Sequence, residues 1–540
     1  MKMLLISVLC TLPFFCGAQV KISQYEVYEL ALRSNNYTVK DNPVRDVLLL
    51  TQWLHESGKS ITVYGFYDGD GKGKFAGNVF KVRFTPTEKG KWELVNVMSN
   101  DTRLNNQKAG LVIECETSNH PGFWVVDPSI SGGRWYKRSN GTYPYIVGNT
   151  MYSFLTERGA NGPHNSTIER DVTESGKYFN KLRFGITGDR YPHPVEKPFI
   201  DADGNPTDDG NWSHRPNPKW FLERVDKAVK VSYDNDIIAD IILNGPDTPD
   251  SRSNLLAKHN NYDAAPFLRY MAARYGSYPN VWFCMTNEFD IRDPRYTPTQ
   301  ISFFGQNLRS FMGYPSPLSV HGLSDRNPEL NTIPSWDDHV IVQYKLKELN
   351  DAADKGCQNY FLGGAQMPVF IDELAYEGAG DGWSRDDVIE SFLGAFLGGA
   401  YASTGYKSGN KLGQYFEGKF SAEEHTAADN LLWMRKVIDN KITFRKMQPV
   451  QVTEQGLFKV SIFREMNPSF RVMAWPGYEY VLGTNKKDRV IADLPEGSWT
   501  VTYYDIINKR IKVVSEDAKG QFRDNAPDSR AVLWHFKKNQ

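Results

Sequence analysis

Two carboxylic acids close two strongly apolar runs of this chain. The first run reads Val281-Trp282-Phe283-Cys284-Met285-Thr286-Asn287-Glu288, and the second reads Pro368-Val369-Phe370-Ile371-Asp372-Glu373. Two carboxyls on opposite sides of an anomeric carbon can cleave a glycosidic bond. One, protonated, helps the leaving group depart; the other, ionised, attacks or activates water. In a retaining enzyme they stand about 5–5.5 Å apart, and each keeps the pKa of the other distinct. Either Glu alone reads equally well as a salt-bridged rim residue, so the pairing carries the chemistry. Glu377, one helical turn past Glu373, would take its place if that strand ended later.

Such acids need a scaffold that ends several buried strands at one face. From Tyr143 onward, apolar runs alternate with helical stretches, the pattern of parallel strands joined by helical crossovers. Eight runs are present: Tyr143–Phe154, Phe179–Gly188, Asp236–Asn244, Val281–Asn287, Pro317–His321, Val340–Tyr344, Pro368–Glu373 and Gly399–Gly405. Between them, Pro218–Tyr233, Ala264–Tyr275, Thr299–Met312, Arg385–Phe396 and Ala422–Ile438 have helical periodicity. Eight strands over about 300 residues predict a (β/α)8 TIM barrel, whose chemistry lies at the C-terminal ends of its strands. A doubly wound sheet would want a Gly-rich phosphate turn after its first strand, and Gly148-Asn149-Thr150 is not one. Glu288 and Glu373 then end strands four and seven.

The 540 residues exceed a single core. Short alternating runs at Val27–Leu32, Val44–Trp53, Ser60–Phe66, Phe80–Pro86 and Gly90–Met98 predict an N-terminal β-sandwich. Runs at Phe458–Phe463, Ser469–Trp475, Tyr478–Leu482, Val490–Leu494, Ser498–Tyr504 and Ala531–Phe536 predict a C-terminal β-sandwich, with a turn at Pro495-Glu496-Gly497. Residues 1–18 read as an export signal: Lys2, an apolar run from Met3 to Phe15, then Gly17 and Ala18. The expected division is a signal peptide at 1–18, a β-sandwich at 19–125, the barrel at 126–440 and a β domain at 441–540. The product is expected to be periplasmic or extracellular. A lipoprotein is the lesser alternative, since Phe14 and Phe15 precede Cys16 where a small residue is wanted.

Lys and Arg (63) balance Asp and Glu (64), so nothing marks a nucleic-acid partner or an anionic membrane. After Ala18 no run is long enough to span a bilayer. Cys115, Cys284 and Cys357 are too scattered for a disulfide framework and read as buried thiols. The turn Asp68-Gly69-Asp70-Gly71-Lys72-Gly73 resembles a calcium loop only at first sight. It has Lys72 at position 5 and Val79 at position 12, and it reads as a hairpin. There is no His-Glu-x-x-His helix, no Cys-x-x-Cys pair, no Gly-x-Ser-x-Gly elbow and no phosphate loop, so neither metal nor cofactor is expected.

Asn287-Glu288 ending strand four, with Glu373 ending strand seven, resembles the clan of retaining (β/α)8 glycoside hydrolases that includes many cellulases, mannanases and β-galactosidases. That resemblance implies Glu288 as acid/base, Glu373 as nucleophile and Asn287 as holder of a sugar 2-hydroxyl. Arg183 is similar to the clan's second-strand Arg, which keeps the nucleophile ionised, and Tyr344 to a sixth-strand residue touching it. Val63–Gly71, Val82–Pro86 and Gly90-Lys91-Trp92 are similar to a β-sandwich preceding barrels in polysaccharide-degrading bacterial enzymes. Glu373, Tyr376 and Glu377 match the Glu-x-x-Tyr-Glu pattern of the apiosidase-like group, and the tail resembles a collagen-binding-type β domain. Members of that group vary at the strand-four acid, so apiose specificity does not carry over.

By position, Asn149, Asn244, His321 and Tyr406 end strands one, three, five and eight and are further candidates for sugar contacts. Trp212, Trp336 and Trp383 fall in barrel loops, where a ring face would stack on a sugar. The expected function is retaining hydrolysis of a polysaccharide or oligosaccharide. A non-catalytic carbohydrate-binding or adhesion protein on the same scaffold is the alternative, and an inverting hydrolase or a transglycosylase would use the same acids.

Overall fold

Each of the eight apolar runs contains a strand, and all eight strands lie parallel in one sheet. The structure is a computed structural model describing residues 20–128, 132–152, 155, 158–159, 162–163, 167–186, 197–244, 264–289, 296–322, 336–361, 367–409, 420–450, 462–463 and 470–540. The export signal and the first residues of the Phe458–Phe463 run lie outside these. The barrel strands are, in order, Val147–Thr150, Lys181–Gly185, Ile238–Ile242, Val281–Cys284, Leu318–Ser319, Val340–Val342, Val369–Glu377 and Tyr401–Tyr406. Strand eight pairs with strand one, and a parallel bridge from His321 to Ile341 joins strands five and six, so the sheet closes. Strands one and eight approach so closely that a Cβ on Gly148 would stand 2.1 Å from Ser403 Oγ.

Local chemistry sets the helices between them. Asn217 caps a helix that opens with Pro218 and runs, through a π turn at Phe221–Val225, to Asp234. Capping boxes start two more: Thr297 with Gln300 before Pro298–Phe311, and Ser384 with Asp387 before Arg385–Leu397. Helices Ile168–Gly176, Ala265–Tyr275, Leu349–Phe361 and Ala428–Lys441 complete the described set. A hairpin of Trp124–Val126 and Tyr136–Arg138 plugs the lower end of the barrel. The Tyr136 ring lies 4.6 Å from that of Trp282, and its backbone N–H donates to the Tyr401 hydroxyl at 3.0 Å.

Ahead of the barrel, seven strands between Val20 and Glu116 form one mainly antiparallel sheet around Trp53, Phe84 and Trp92. It docks through buried ion pairs. Arg83 and Arg274 both bind Asp226, at 2.8 and 2.6 Å, and Arg274 also reaches Asp68 at 2.9 Å. Asp68, first residue of the Gly-rich turn, is thereby committed to Arg274 of the barrel and to Lys81 of its own sheet, and Asp70 Oδ1 accepts from the Lys72 and Lys74 amides.

After the barrel comes a sheet of six strands with a separate two-stranded ribbon. Arg510–Ala518 and Gln521–Asn525, like the two-residue strand Gln448–Pro449, have no counterpart among the apolar runs. The first is an exposed edge, and edge strands favour charge, which removes the hydrophobic signal. Cys115 and Cys284 are buried, Cys357 is partly so, and none of the three forms a disulfide among the described residues.

Candidate active site

The fourth strand stops at Cys284, and the next four residues are pinned from both sides. Met285 N donates to Ser319 O, Asn287 N to Asn244 O, and Phe289 N to His321 O. Held this way, Glu288 takes a left-handed backbone, φ +46°, that a non-glycine residue adopts only when its surroundings impose it. Its carboxyl is nearly buried.

Strand seven runs past Glu373 to Glu377, and its pairing with strand eight slips between Ile371 and Ala375. This bulge matters. Asp372 points into the barrel, where Lys181 Nζ binds it at 2.7 Å. In a regular strand the next side chain would point outward. The bulge re-aims it, and Glu373 also faces the interior, Oε1 accepting from the Tyr152 hydroxyl at 2.5 Å and Oε2 from Gln343 Nε2 at 2.8 Å. Arg183 Nη1 lies 3.7 Å from Oε1 and donates to the Tyr152 hydroxyl at 2.6 Å.

Around this pair Asn287 Oδ1 accepts from Arg183 Nη2 and contacts His321 Nδ1. His321 Nδ1 meets both the Asn287 oxygen and, at 2.9 Å, the Arg183 Nη2 donor, and its Nε2 is buried without a hydrogen-bond partner among the described residues. Burial, followed by the Arg183 charge, holds the His321 imidazole neutral, its pKa well below the ordinary value. Burial pushes the Tyr152 phenol well up, and Glu373 adds to the shift, so Tyr152 keeps its proton for the carboxylate. The Tyr376 phenol is raised in the same way by burial and by Glu373.

A wholly buried layer supports the cluster from below. Lys181 bridges Asp240, at 2.8 Å, and Asp372; Ser403 Oγ donates to Asp372 at 2.5 Å. Burial would raise the Asp372 carboxyl, but Lys181 and Arg183 outweigh it and hold it low. No group of three His, Cys, Asp or Glu side chains suited to a metal occurs among the described residues.

The structure therefore gathers Glu288, Asn287, Glu373, Arg183 and His321 at one end of the barrel. Three other candidates point elsewhere. Asn149 lies in register with Leu182 and Thr404, on the outward-facing set, and its amide donates to Ser175 Oγ of helix Ile168–Gly176 at 3.2 Å. Tyr344 follows the inward-facing Gln343, so alternation turns it out. Its hydroxyl accepts from Asn359 of helix Leu349–Phe361 at 3.2 Å, and Lys355 Nζ sits 4.8 Å from its ring. Tyr406, in register with Glu377, lies 6.4 Å from the His425 ring, outside the barrel.

Asn244 donates to the Tyr296 hydroxyl at 2.5 Å and to Thr286 Oγ1 at 3.3 Å, bracing the turn before Glu288. Trp383 bridges to Glu377 and Gly378, with Lys347 Nζ 5.4 Å from its ring. Trp336 packs on Gly305, where a Cβ would stand 2.3 Å from its ring, so it is a packing residue. Trp212 is half-buried beside His214. Glu377 caps the chain ahead of the last barrel helix, accepting from Thr426 N and Ala427 N at 3.0 Å each and from Thr426 Oγ1. Its oxygens are thus occupied. Tyr152 and Gln343 were not among the sequence candidates. Tyr152 stands two residues beyond its strand, and Gln343 is hidden beside the more suggestive Tyr344.

Comparison with known proteins agrees with this architecture. A family model, a domain of unknown function (DUF5060), matches residues 21–96. No curated protein matches the chain. Among solved structures, a protein from Bacteroides vulgatus described as a candidate glycoside hydrolase is similar over 96% of this chain and 100% of its own, at 19% identity and a TM-score of 0.74. A family 5 glycoside hydrolase from the same organism is similar over 78% of this chain and 93% of its own, at 13% identity and a TM-score of 0.58. The chain has the mixed α/β, barrel-bearing scaffold of these glycoside hydrolases.

Proposed function

We propose that the protein is a retaining glycoside hydrolase acting on a polysaccharide or oligosaccharide, with Glu288 as acid/base and Glu373 as nucleophile. The observation that carries this reading is the treatment of Glu373. The bulge turns it into the barrel mouth, where Tyr152 and Gln343 donate to its two oxygens and Arg183 lies 3.7 Å away. Glu288 follows Asn287 across the same opening.

In the first step a Glu373 oxygen attacks the anomeric carbon while the Glu288 proton passes to the departing glycosidic oxygen, leaving a glycosyl ester. In the second, Glu288 takes a proton from water as the water oxygen attacks the same carbon, which frees Glu373 and the sugar with configuration retained. The Asn287 oxygen is consumed by Arg183 and His321, so its amide nitrogen is the group turned to a substrate hydroxyl. Arg183 donates to both Tyr152 and Asn287, which fixes the hydroxyl that reaches Glu373 and the amide beside Glu288.

The chain is read as exported by residues 1–18, with a β-sandwich to about residue 125, the catalytic barrel to about residue 440 and a further β domain beyond. Within the clan, the apiosidase-like group is the likeness we favour. A 2-fluoro glycoside with a good leaving group tests the mechanism. Mass spectrometry should find the trapped sugar on the peptide carrying Glu373 and find none in Glu373→Gln. A label on Glu377, or turnover by that variant, would refute the assignment.

A further inference from the structure

At the opposite end of the barrel the described residues line a cleft of about 550 Å³. Tyr143 and Pro144, just ahead of strand one, form one wall. Residues 439–445, the end of the last barrel helix and the chain leaving it, form the second, and Lys537 of the C-terminal sheet closes the third. Its charges are unequal. The Asp439 carboxylate is turned into the backbone, accepting from the Tyr145 N–H at 2.7 Å, and Arg445 lies 4.9 Å over the Tyr143 ring. Lys441 and Lys537 have no hydrogen-bond or ion-pair partner among the described residues.

An aromatic shelf continues the cleft along the sheet. Trp475 stands in register with Glu479, and Glu479 with Lys537, so the three side chains form one row across adjacent strands. Glu479 is occupied by His535 at 2.7 Å and by the Thr443 amide at 3.0 Å, which ties the row to the cleft wall. Trp475 is held between Lys446 Nζ, 4.2 Å from its ring, and the stacked Tyr478 ring at 4.5 Å. Tyr478 is 57% exposed, so its ring is a rigidly backed surface. A flat aromatic face suits the C–H face of a sugar, and unpaired ammonium groups suit carboxylates or sulfates.

We propose that this cleft is a second saccharide-binding site that takes an acidic sugar chain, with its anionic groups on Lys441 and Lys537 and a ring on Tyr478. The anionic part of the proposal rests on the cleft; the saccharide part rests also on the hydrolase reading above.

The test is equilibrium binding to the full chain carrying Glu373→Gln, so that probes survive. The probes are oligogalacturonate, a heparin-derived oligosaccharide, a neutral manno-oligosaccharide and inorganic sulfate. Saturable binding of an acidic oligosaccharide is expected. It should weaken about tenfold or more when Lys441→Glu and Lys537→Glu are combined, at unchanged melting temperature, and about threefold in Tyr478→Ala. The tighter of the two acidic probes identifies carboxylate or sulfate as the recognised group.

Binding untouched by the charge reversals, or equal for the neutral probe, would overturn the proposal. So would sulfate binding alone, or an acidic probe indifferent to Tyr478→Ala. Failure of Glu373 labelling in the native chain, with cleft binding intact, would count against the hydrolase reading and not against the cleft.

Discussion

Two buried clusters of charge, one at the barrel mouth and one where the N-terminal sheet meets the barrel, use similar residues to different ends. In the interface cluster Arg83, Arg274, Asp226 and Asp68 pair among themselves, with Lys81 and Glu29 at the edge. Every strong charge there faces an opposite one, and nothing is offered to a ligand. At the mouth, Arg183, Asn287, Tyr152 and Glu373 are as tightly linked, yet among the described residues His321 Nε2 and Gln343 Oε1 are buried without a hydrogen-bond partner. Beside them Glu288 sits on strained backbone. A closed cluster holds parts together. A cluster with polar atoms to spare has room for something that arrives.

The largest effect that would sharpen this contrast is catalytic. Glu288→Ala should lower turnover of natural linkages by about 10² to 10⁴-fold and leave the melting temperature nearly unchanged. A fall in stability matching the interface variants would break the distinction.

Next comes the interface. Asp226→Ala removes the carboxylate shared by two buried guanidinium groups, leaving Arg83 only Glu29 and Arg274 only Asp68 as ion-pair partners among the described residues, and should cost about 3 kcal/mol in urea unfolding, with substrate affinity preserved. Burial opposes ionisation of Asp226, but Arg274 and Arg83 more than offset it and hold its carboxyl below the usual range. Its contribution is therefore complete above pH about 4 and is lost as pH falls further.

Buried histidines act earlier on the pH scale. Burial holds His339 and His425 down to about 3, against 6.5 when unfolded. The unfolded chain takes up their protons first, so stability falls as pH drops from about 6.5 toward 3. The slope is about 1.4 kcal/mol per pH unit for each. Chemical denaturation at several pH values should show this slope, and His425→Gln should reduce it.

The smallest effect separates neighbours. Gln343→Ala should lower kcat/KM about tenfold, while Tyr344→Phe should change it little, because only Gln343 touches Glu373. Comparable losses in both would contradict the inward and outward assignments.

Much of the architecture was legible because its causes are local. Apolar runs of strand length and Pro218 at the first turn of its helix specify strands and a helix start without reference to distant residues. Strand Arg510–Ala518 was not legible, since an exposed edge has no apolar face to display. At the site the strands were readable, but their ends, such as the extension of strand seven to Glu377, and the direction of their side chains were not. Direction depends on register, and one residue of shift exchanges the inside of the barrel for the outside. That is why Asn149 and Tyr344 turned outward while Gln343 and Tyr152 took the positions beside Glu373.

The sequence by itself determined that Asn287-Glu288 closes one apolar run just past its strand and that Asp372-Glu373 interrupts another inside its strand, because hydrophobic periodicity is a property of short segments. Only the tertiary structure decided between Glu373 and Glu377 as the interior carboxylate. That choice follows from a bulge between strands seven and eight and from a helix start that needs Glu377 as its cap. Both are set by partners distant in the chain, brought together only when the barrel closes.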